Sequence, residues 1–374
     1  MAGENPFAAA GVPTVINAAG KMTALGGSAQ TEPVAAAQAA AARAHVDLDE
    51  LRRAAGARIA ARCGSEAACV TTGAAAGICI SVAAVLTGTD PDRIRRVPDR
   101  LDGPREVILQ AGHDVFFGAA VEQMIRLGGG VPVVVGSHER VDVSDVSGRL
   151  GAATACLVYV KSHHCIQERR VGFDAYLRLA HAARLPLIVD AAAEADLETC
   201  VAAGADLVTY SGGKAIGGPT CGFIAGRRAL IEACELQNAG IARPMKVGKE
   251  QIMGLLAALD RFPPPDHWRQ VLDALMAALA PLPHLVTSRV PDRAGRDIER
   301  AGVRPHRGAF SPEDLVSWLE HGTPSIRTRK HQLEDGLVLF DPRELGPEHV
   351  PVIRDRVAAF LERVQPPANE HDCC

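Results

Sequence analysis

The stretch from Leu185 to Lys214 decides the fold: Leu185-Pro-Leu-Ile-Val-Asp190 opens it and Asp206-Leu-Val-Thr-Tyr-Ser-Gly-Gly-Lys214 closes it. Each segment begins as a short, continuous apolar run, as a strand buried on both faces requires. Each ends in a polar residue set among small ones. The 24 residues from Asp190 to Lys214 are one strand–helix–strand step. That step puts both side chains at the carboxyl ends of neighbouring parallel strands, the edge where ligands of open α/β sheets collect.

The same rhythm extends outward. Apolar runs recur at Glu106-Val-Ile-Leu, Val131-Pro-Val-Val-Val, Ala155-Cys-Leu-Val-Tyr-Val and Cys221-Gly-Phe-Ile-Ala. Between them the spacing predicts helices. Val121, Met124, Ile125 and Leu127 share one face of a helix over 115–127, and Tyr176, Leu177 and Leu179 do so over 173–184. The expected fold class is α/β, a mostly parallel central sheet with helices on both faces and a smaller C-terminal α+β domain. The alternation stops near residue 255, and Arg261-Phe-Pro-Pro-Pro-Asp266 is a breaker cluster. Beyond it a helix over about 266–280, two arginine-rich strand-like stretches and a helix over about 347–364 are expected. The expected domains are an N-terminal segment (1–50) serving the interface and the small domain, a large domain (51–255) and a small one (256–374).

Composition excludes several alternatives. The chain has 374 residues, 47% hydrophobic and 22% charged, which excludes disorder as its main state. Forty basic against 44 acidic side chains give a net charge of −4, with no basic stripe for nucleic acid. Aromatic residues are only 4%, so Ala, Val, Leu and Ile must fill the core. The ten cysteines show no Cys-x-x-Cys spacing, and the N-terminus lacks a secretion-type apolar stretch. Reduced thiols in a cytoplasmic protein are expected. Residues 67–89 carry no charge but are mostly Ala, Gly, Thr and Ser, which reads as a buried segment and not a membrane span.

An aspartate facing a lysine across such a crevice suits pyridoxal phosphate. The Lys214 amine can form an imine with its aldehyde. The Asp190 carboxylate can keep the pyridine nitrogen protonated, so that the ring withdraws electrons from the substrate Cα. Thr72, Gly73 and Ala74 open a helix whose free N–H groups suit a phosphate, and Ser211 adds a hydroxyl. His113, just after the strand at 106–110, is expected to stack on the ring. His163 and His164 follow the strand at 155–160 and are candidate proton donors to a leaving hydroxyl. No metal site is expected, because neighbouring histidines point apart and no second ligand pair has zinc spacing.

These residues resemble a known family. Val15-Ile-Asn-Ala-Ala-Gly20, Ala44-His-Val-Asp-Leu-Asp-Glu-Leu51, the Thr-Thr-Gly-Ala-Ala-Ala-Gly turn, Ser162-His-His, Val189-Asp-Ala-Ala-Ala-Glu194 and Ser211-Gly-Gly-Lys214 look like the selenocysteine synthase (SelA)-like branch of fold-type I pyridoxal-phosphate enzymes. Within that branch they are more similar to the D-glucosaminate-6-phosphate ammonia-lyase group than to the tRNA-dependent selenium transferases. The sequence begins close to the Asn17 motif, so the tRNA-holding N-terminal domain of those transferases is not expected.

The resemblance implies α,β-elimination from a 2-amino-3-hydroxy acid with release of ammonia and a 2-keto acid. A racemase would use the same first steps and is the first alternative; a selenium-transferase-like β-replacement and a non-catalytic cofactor-binding protein are the others. The resemblance also implies an arginine for the substrate carboxylate in Thr323-Pro-Ser-Ile-Arg327-Thr-Arg329. Strand alternation leaves Arg327 and Arg329 on one face, and the family pattern leans to Arg329. Gln167 and Lys21 are further candidate substrate contacts, and Arg169, Arg170, Arg243 and Lys246 are candidates for a second anionic group. A homo-oligomer with shared active sites is expected, acting on a small amino acid, with no nucleic-acid or membrane partner.

Overall fold

Uncharged runs of Val, Ile and Leu become strands because both faces of the sheet they join are covered. In chain order the strands of the computed structural model are β1 (Val15–Ala18), β2 (Ala67–Thr71), β3 (Glu106–Gln110), β4 (Val131–Val135), β5 (Thr154–Val160) and β6 (Leu187–Asp190). They continue as β7 (Leu207–Ser211), β8 (Gly222–Gly226), β9 (Leu285–Pro291), β10 (Glu299–Pro305), β11 (Ser325–Thr328) and β12 (Val338–Phe340). The longer helices are α1 (Glu32–Ala42), α2 (Leu48–Cys63), α3 (Ala74–Thr87), α4 (Phe173–Ala182) and α5 (Arg228–Leu236). They are followed by α6 (Lys249–Leu259), α7 (Trp268–Leu279), α8 (Pro312–Glu320) and α9 (His349–Val364). The structure describes residues 5–116, 118–161, 165, 168–263, 267–292 and 296–364.

The chain divides into two compact units: Gly27–Pro264, and Met1–Gly26 with Pro265–Cys374. The expected boundaries at 50 and 255 thus fall instead at 26 and 264. Residues 27–50 belong to the larger unit because α1 packs along α6. Residues 256–264 belong there because α6 carries Leu256, Ala258 and Leu259 into that unit's core.

The larger unit holds a seven-stranded sheet in the order β2-β8-β7-β6-β5-β3-β4. Strands β3 to β7 pair in parallel with their sheet neighbours, and β8 runs antiparallel between β2 and β7. Ile108, Leu157, Leu187, Val189 and Val208 are fully buried along it. The uncharged stretch 67–89 is strand β2 followed by helix α3, whose Gly77, Cys79, Val82, Ala83 and Ala84 are all buried. Small side chains let this helix lie close to the sheet, and its burial explains why the segment needs no charge. No helix among the described residues is long and apolar enough to cross a membrane. Helix α2 starts where the Asp47 carboxylate accepts the Asp49 and Glu50 N–H groups, and stops at Gly64 in the left-handed conformation.

One local expectation changes. The helix expected over 115–127 starts only at Val121; Val121 and Ile125 are buried, but Leu127 is partly exposed. Strand β2 opens the stretch that the sequence marks only as buried, since a short apolar run does not declare its own conformation.

The smaller unit is α+β. An antiparallel sheet β12-β10-β9 and a parallel pair β1–β11 bury Ala301, Val303, Ile326 and Phe340 against Leu272 and Leu275 of α7, Leu315 of α8 and Val357 of α9. The expected arginine-rich strands are β9 and β10, and the expected terminal helices are α7 and α9.

Candidate active site

Within the larger unit, the carboxyl ends of β6 and β7 gather the polar residues. Asp190 closes β6 and pairs in register with Thr209 of β7, two residues before Ser211. Its carboxylate is 3% exposed, and among the described residues its hydrogen-bond donor is the Ala192 N–H at 3.0 Å. Burial pushes the carboxyl up to about 6, although nearby Lys214 and the Ala192 N–H pull it down. A buried anion so sparsely compensated suits a cationic group set against it.

Lys214 lies in the turn after β7. The Gly218 N–H donates to Gly212 O at 2.8 Å, the Gly217 N–H to Lys214 O at 3.1 Å, and the Gly212 N–H to Cys221 O at 2.8 Å. Ser211, half-buried, donates its N–H to Ala192 O at 3.3 Å, which ties the lysine strand to the Asp190 loop.

The third part is the start of α3. Gly73 is its N-cap and provides no side-chain hydrogen bond, so the first N–H groups point outward with the positive end of the helix dipole. The Thr71 hydroxyl turns inward to Gly73 O at 2.9 Å. Two glycines hold this helix end over β7 and β8. A Cβ on Gly222 would press on Tyr210 O and lie 3.0 Å from Gly73. A Cβ on Gly77 would overlap the Thr209 hydroxyl. The Thr209 hydroxyl instead donates to Ala74 O at 3.3 Å. The structure therefore brings Asp190, Lys214, Ser211 and Thr72-Gly73-Ala74 to one end of one sheet.

His113, expected to stack on the cofactor ring, follows β3 and is fully buried. The turn after β3 is closed by the His113 N–H donating to Gln110 O at 3.0 Å. There Nδ1 accepts the Val160 N–H at 3.1 Å, and the ring meets Tyr159 edge-on with centroids 4.6 Å apart. It braces the end of β5. His163, His164 and Gln167 lie outside the described residues.

An additional charged pair stands beside Asp190. Lys161 follows β5, donates its N–H to Asp190 O at 2.8 Å, and carries Nζ to 3.7 Å from Glu194 Oε2. The signal for Lys161 was its place just past an apolar run. Of the other basic candidates, Arg170 is spent on the backbone, donating to Arg169 O at 3.0 Å and to His138 O. Arg243 and Lys246 sit in and after the short turn Arg243–Met245.

The smaller unit gathers the remaining cations. Arg329, just past β11, is 8% exposed; Nε donates to His331 Nδ1 at 3.0 Å and Nη1 reaches Ala19 O at 3.5 Å. Burial, with Arg300 and Arg343 nearby, lowers it to about 10. Arg327, two residues earlier, is half-exposed and pairs with Glu320 at 3.9 Å. The two differ because β11 ends at Thr328, and only Arg329 continues into the bridge with Leu339. Lys21 sits 3.6 Å from Glu344, its amine lowered by burial despite that carboxylate. Beneath them Arg300 is clamped between Asp341 and Asp292, each at 2.9 Å, and Arg343 also holds Asp341 at 2.8 Å.

Known proteins share this fold. A family model described as SelA, L-seryl-tRNA selenium transferase, matches residues 15–285. The chain belongs to the SelA family. Its fold is that of the fold-type I pyridoxal-phosphate enzymes, and pyridoxal 5'-phosphate is the cofactor implied by family and fold. The family includes relatives of differing chemistry. D-glucosaminate-6-phosphate ammonia lyase of Salmonella typhimurium is 40% identical over 96% of this chain and 98% of its own. A 5'-C-glycyluridine monooxygenase-decarboxylase of a Streptomyces species is 42% identical over 90% of this chain and 87% of its own. A solved structure of D-glucosaminate-6-phosphate ammonia-lyase superposes with a TM-score of 0.91, covering 97% of this chain and 100% of that one, at 40% identity.

Proposed function

We propose that this chain is a pyridoxal-phosphate-dependent ammonia-lyase that converts a small 2-amino-3-hydroxy acid to a 2-keto acid. The observation that carries the reading is the approach of Asp190 and Lys214 at the carboxyl ends of adjacent parallel strands β6 and β7. It is supported by the 40% identity, over nearly the whole chain, to an ammonia lyase.

In this reading Lys214 holds the cofactor aldehyde and Asp190 the ring nitrogen. Thr72, Gly73, Ala74 and Ser211 hold the phosphate at the start of α3. Bound there, pyridoxal phosphate supplies an electron sink for charge developing at the substrate Cα. The Asp190 carboxylate keeps a proton on the ring nitrogen, and the cation there in turn favours the ionised carboxylate. Freed once the substrate amine takes its place, the Lys214 amine would remove the Cα proton. The β-carbon–oxygen bond then breaks with its electron pair on oxygen, and a proton from His163 or His164 makes the leaving group water. Water returns to carbon as ammonia departs, so the net products are ammonia and the keto acid. Arg329 holds the substrate carboxylate in a two-pronged hydrogen bond. Arg327, Gln167 and Lys21 are secondary substrate contacts.

The reading includes a cytoplasmic homo-oligomer. The eight described cysteines are all buried and form no disulfide among the described residues, which suits a reducing compartment. Light scattering on the purified holoenzyme tests the oligomer, and a monomer as the active species would remove that part.

The test of the activity is a panel of D- and L-amino acids with a β-hydroxyl, phosphorylated sugar acids included. Ammonia and keto acid should form together. An analogue without the hydroxyl should exchange its Cα proton with deuterated water and release nothing. Inversion without ammonia would make the chain a racemase. The 42% identity to a monooxygenase-decarboxylase supports a second reading. Oxygen uptake with carbon dioxide release, in place of ammonia, would assign the chain to that chemistry.

A further inference from the structure

The chain leaves the smaller unit at Gly26 and enters the larger one at Gly27. The first residues after this crossing are tied to the turn that carries Lys214. The Ser28 hydroxyl lies 3.0 Å from Gly213 O and 3.3 Å from Lys214 O, so its single hydrogen is shared between successive carbonyls of that turn. Gly27 takes the left-handed conformation with φ 82°, and a Cβ there would stand 2.9 Å from Gly213 O. Both contacts converge on Gly213 O: a hydrogen bond from one residue and a close backbone approach by the one before it.

These contacts from outside add to the hydrogen bonds that close the turn itself. Gly212 and Gly213 bring it no side chains of their own, and glycine backbones lose the most freedom when ordered. Among the described residues the Gly217 N–H also donates to Lys214 O, at 3.1 Å. We propose that Ser28 is a positioning residue for Lys214, clamping the backbone of the lysine turn from a segment 185 residues away in sequence. This rests on the role proposed for Lys214, since a lysine with no cofactor to hold would need no such clamp.

Ser28→Ala, Ser28→Thr and Gly27→Ala test it with readouts other than turnover. In the cofactor-free protein, amide hydrogen exchange over residues 212–218 should quicken about fivefold in Ser28→Ala, the scale of one lost hydrogen bond. Exchange elsewhere should be unchanged, and Ser28→Thr, which keeps the hydroxyl, should behave as wild type. Gly27→Ala should quicken the same amides by displacing the segment. In the holoenzyme, the pH midpoint of the visible band of bound cofactor should shift in Ser28→Ala and return in Ser28→Thr. Unchanged exchange in Ser28→Ala, or an unchanged midpoint, would overturn the proposal. A wild-type protein with no visible band after pyridoxal phosphate is added would instead sink the cofactor role of Lys214, and the exchange measurement would still report whether Ser28 holds the turn.

Discussion

Gly77 of α3 and Thr209 of β7 meet with no room for a methyl group. A Cβ at 77 would overlap the Thr209 hydroxyl and stand 2.9 Å from the Thr209 Cβ. Thr209 is fully buried and already bonded to Ala74 O at 3.3 Å, so it cannot move aside without losing that bond. Gly77→Ala should therefore destabilise the fold by about 1–3 kcal/mol, the usual cost of overpacking a core. It should also weaken pyridoxal phosphate binding, because the helix end proposed to hold the phosphate rides on this contact. Thermal melting and cofactor titration check the two effects; a variant as stable as wild type would mean that α3 can lift off freely.

Asp190 gives a pH dependence of definite sign. In the cofactor-free fold, burial raises its carboxyl to about 6 from an ordinary value of 3.8. The folded chain therefore holds a proton that the unfolded chain has already released. The associated stability is fully present below about pH 4 and is lost as pH rises through about 6. Asp190→Asn should make the cofactor-free protein more stable by roughly 2–3 kcal/mol at pH 8, with the difference shrinking toward pH 4. The same substitution should strongly slow Cα proton exchange in the holoenzyme. Melting curves across pH would contradict this if the variant gained nothing at pH 8.

Asp341 titrates in the opposite sense. Burial opposes its ionisation, but the Arg343 and Arg300 guanidiniums outweigh that and hold it down at about 2. Asp292 is likewise held well below the usual range by Arg296 and Arg300. Stability from these pairs is present above about pH 4 and is lost as pH falls through about 2. Asp341→Asn leaves the fully buried Arg300 with one carboxylate fewer, at a cost of about 3–5 kcal/mol. Chemical denaturation at pH 7 should show this loss and at pH 2 little of it.

Arg329 should trade stability for function. It is buried, pressed by Arg300 and Arg343, and among the described residues no carboxylate forms an ion pair with it. If it awaits a substrate carboxylate, Arg329→Gln should raise KM about a hundredfold with a smaller effect on kcat. The unliganded variant should melt no lower than wild type. A lower melting temperature with unchanged KM would reassign Arg329 to the structural network of Arg300 and Asp341.

Asp190 and Lys214 were legible in the sequence because each follows a buried strand, and a strand–helix–strand step fixes which edge of the sheet receives its last residue. The start of α3 was legible for a similar reason: small residues after an apolar run mark a helix entering against a sheet. For His113 only its place after β3 is legible; the partner of its ring, the Val160 N–H 47 residues away, is not.

By itself, then, the sequence determined the parallel sheet, the order of its strands along the chain and the ends at which Asp190 and Lys214 emerge, since these follow from local hydrophobic patterning and the lengths of connections. Only the tertiary structure decided that Arg329 is buried while Arg327 is half-exposed, that Gly27 and Ser28 lie against the lysine turn, and that Gly77 has no space above Thr209. These depend on contacts between segments far apart in the chain, and the spacing of residues along one segment carries no information about what another segment presents to it.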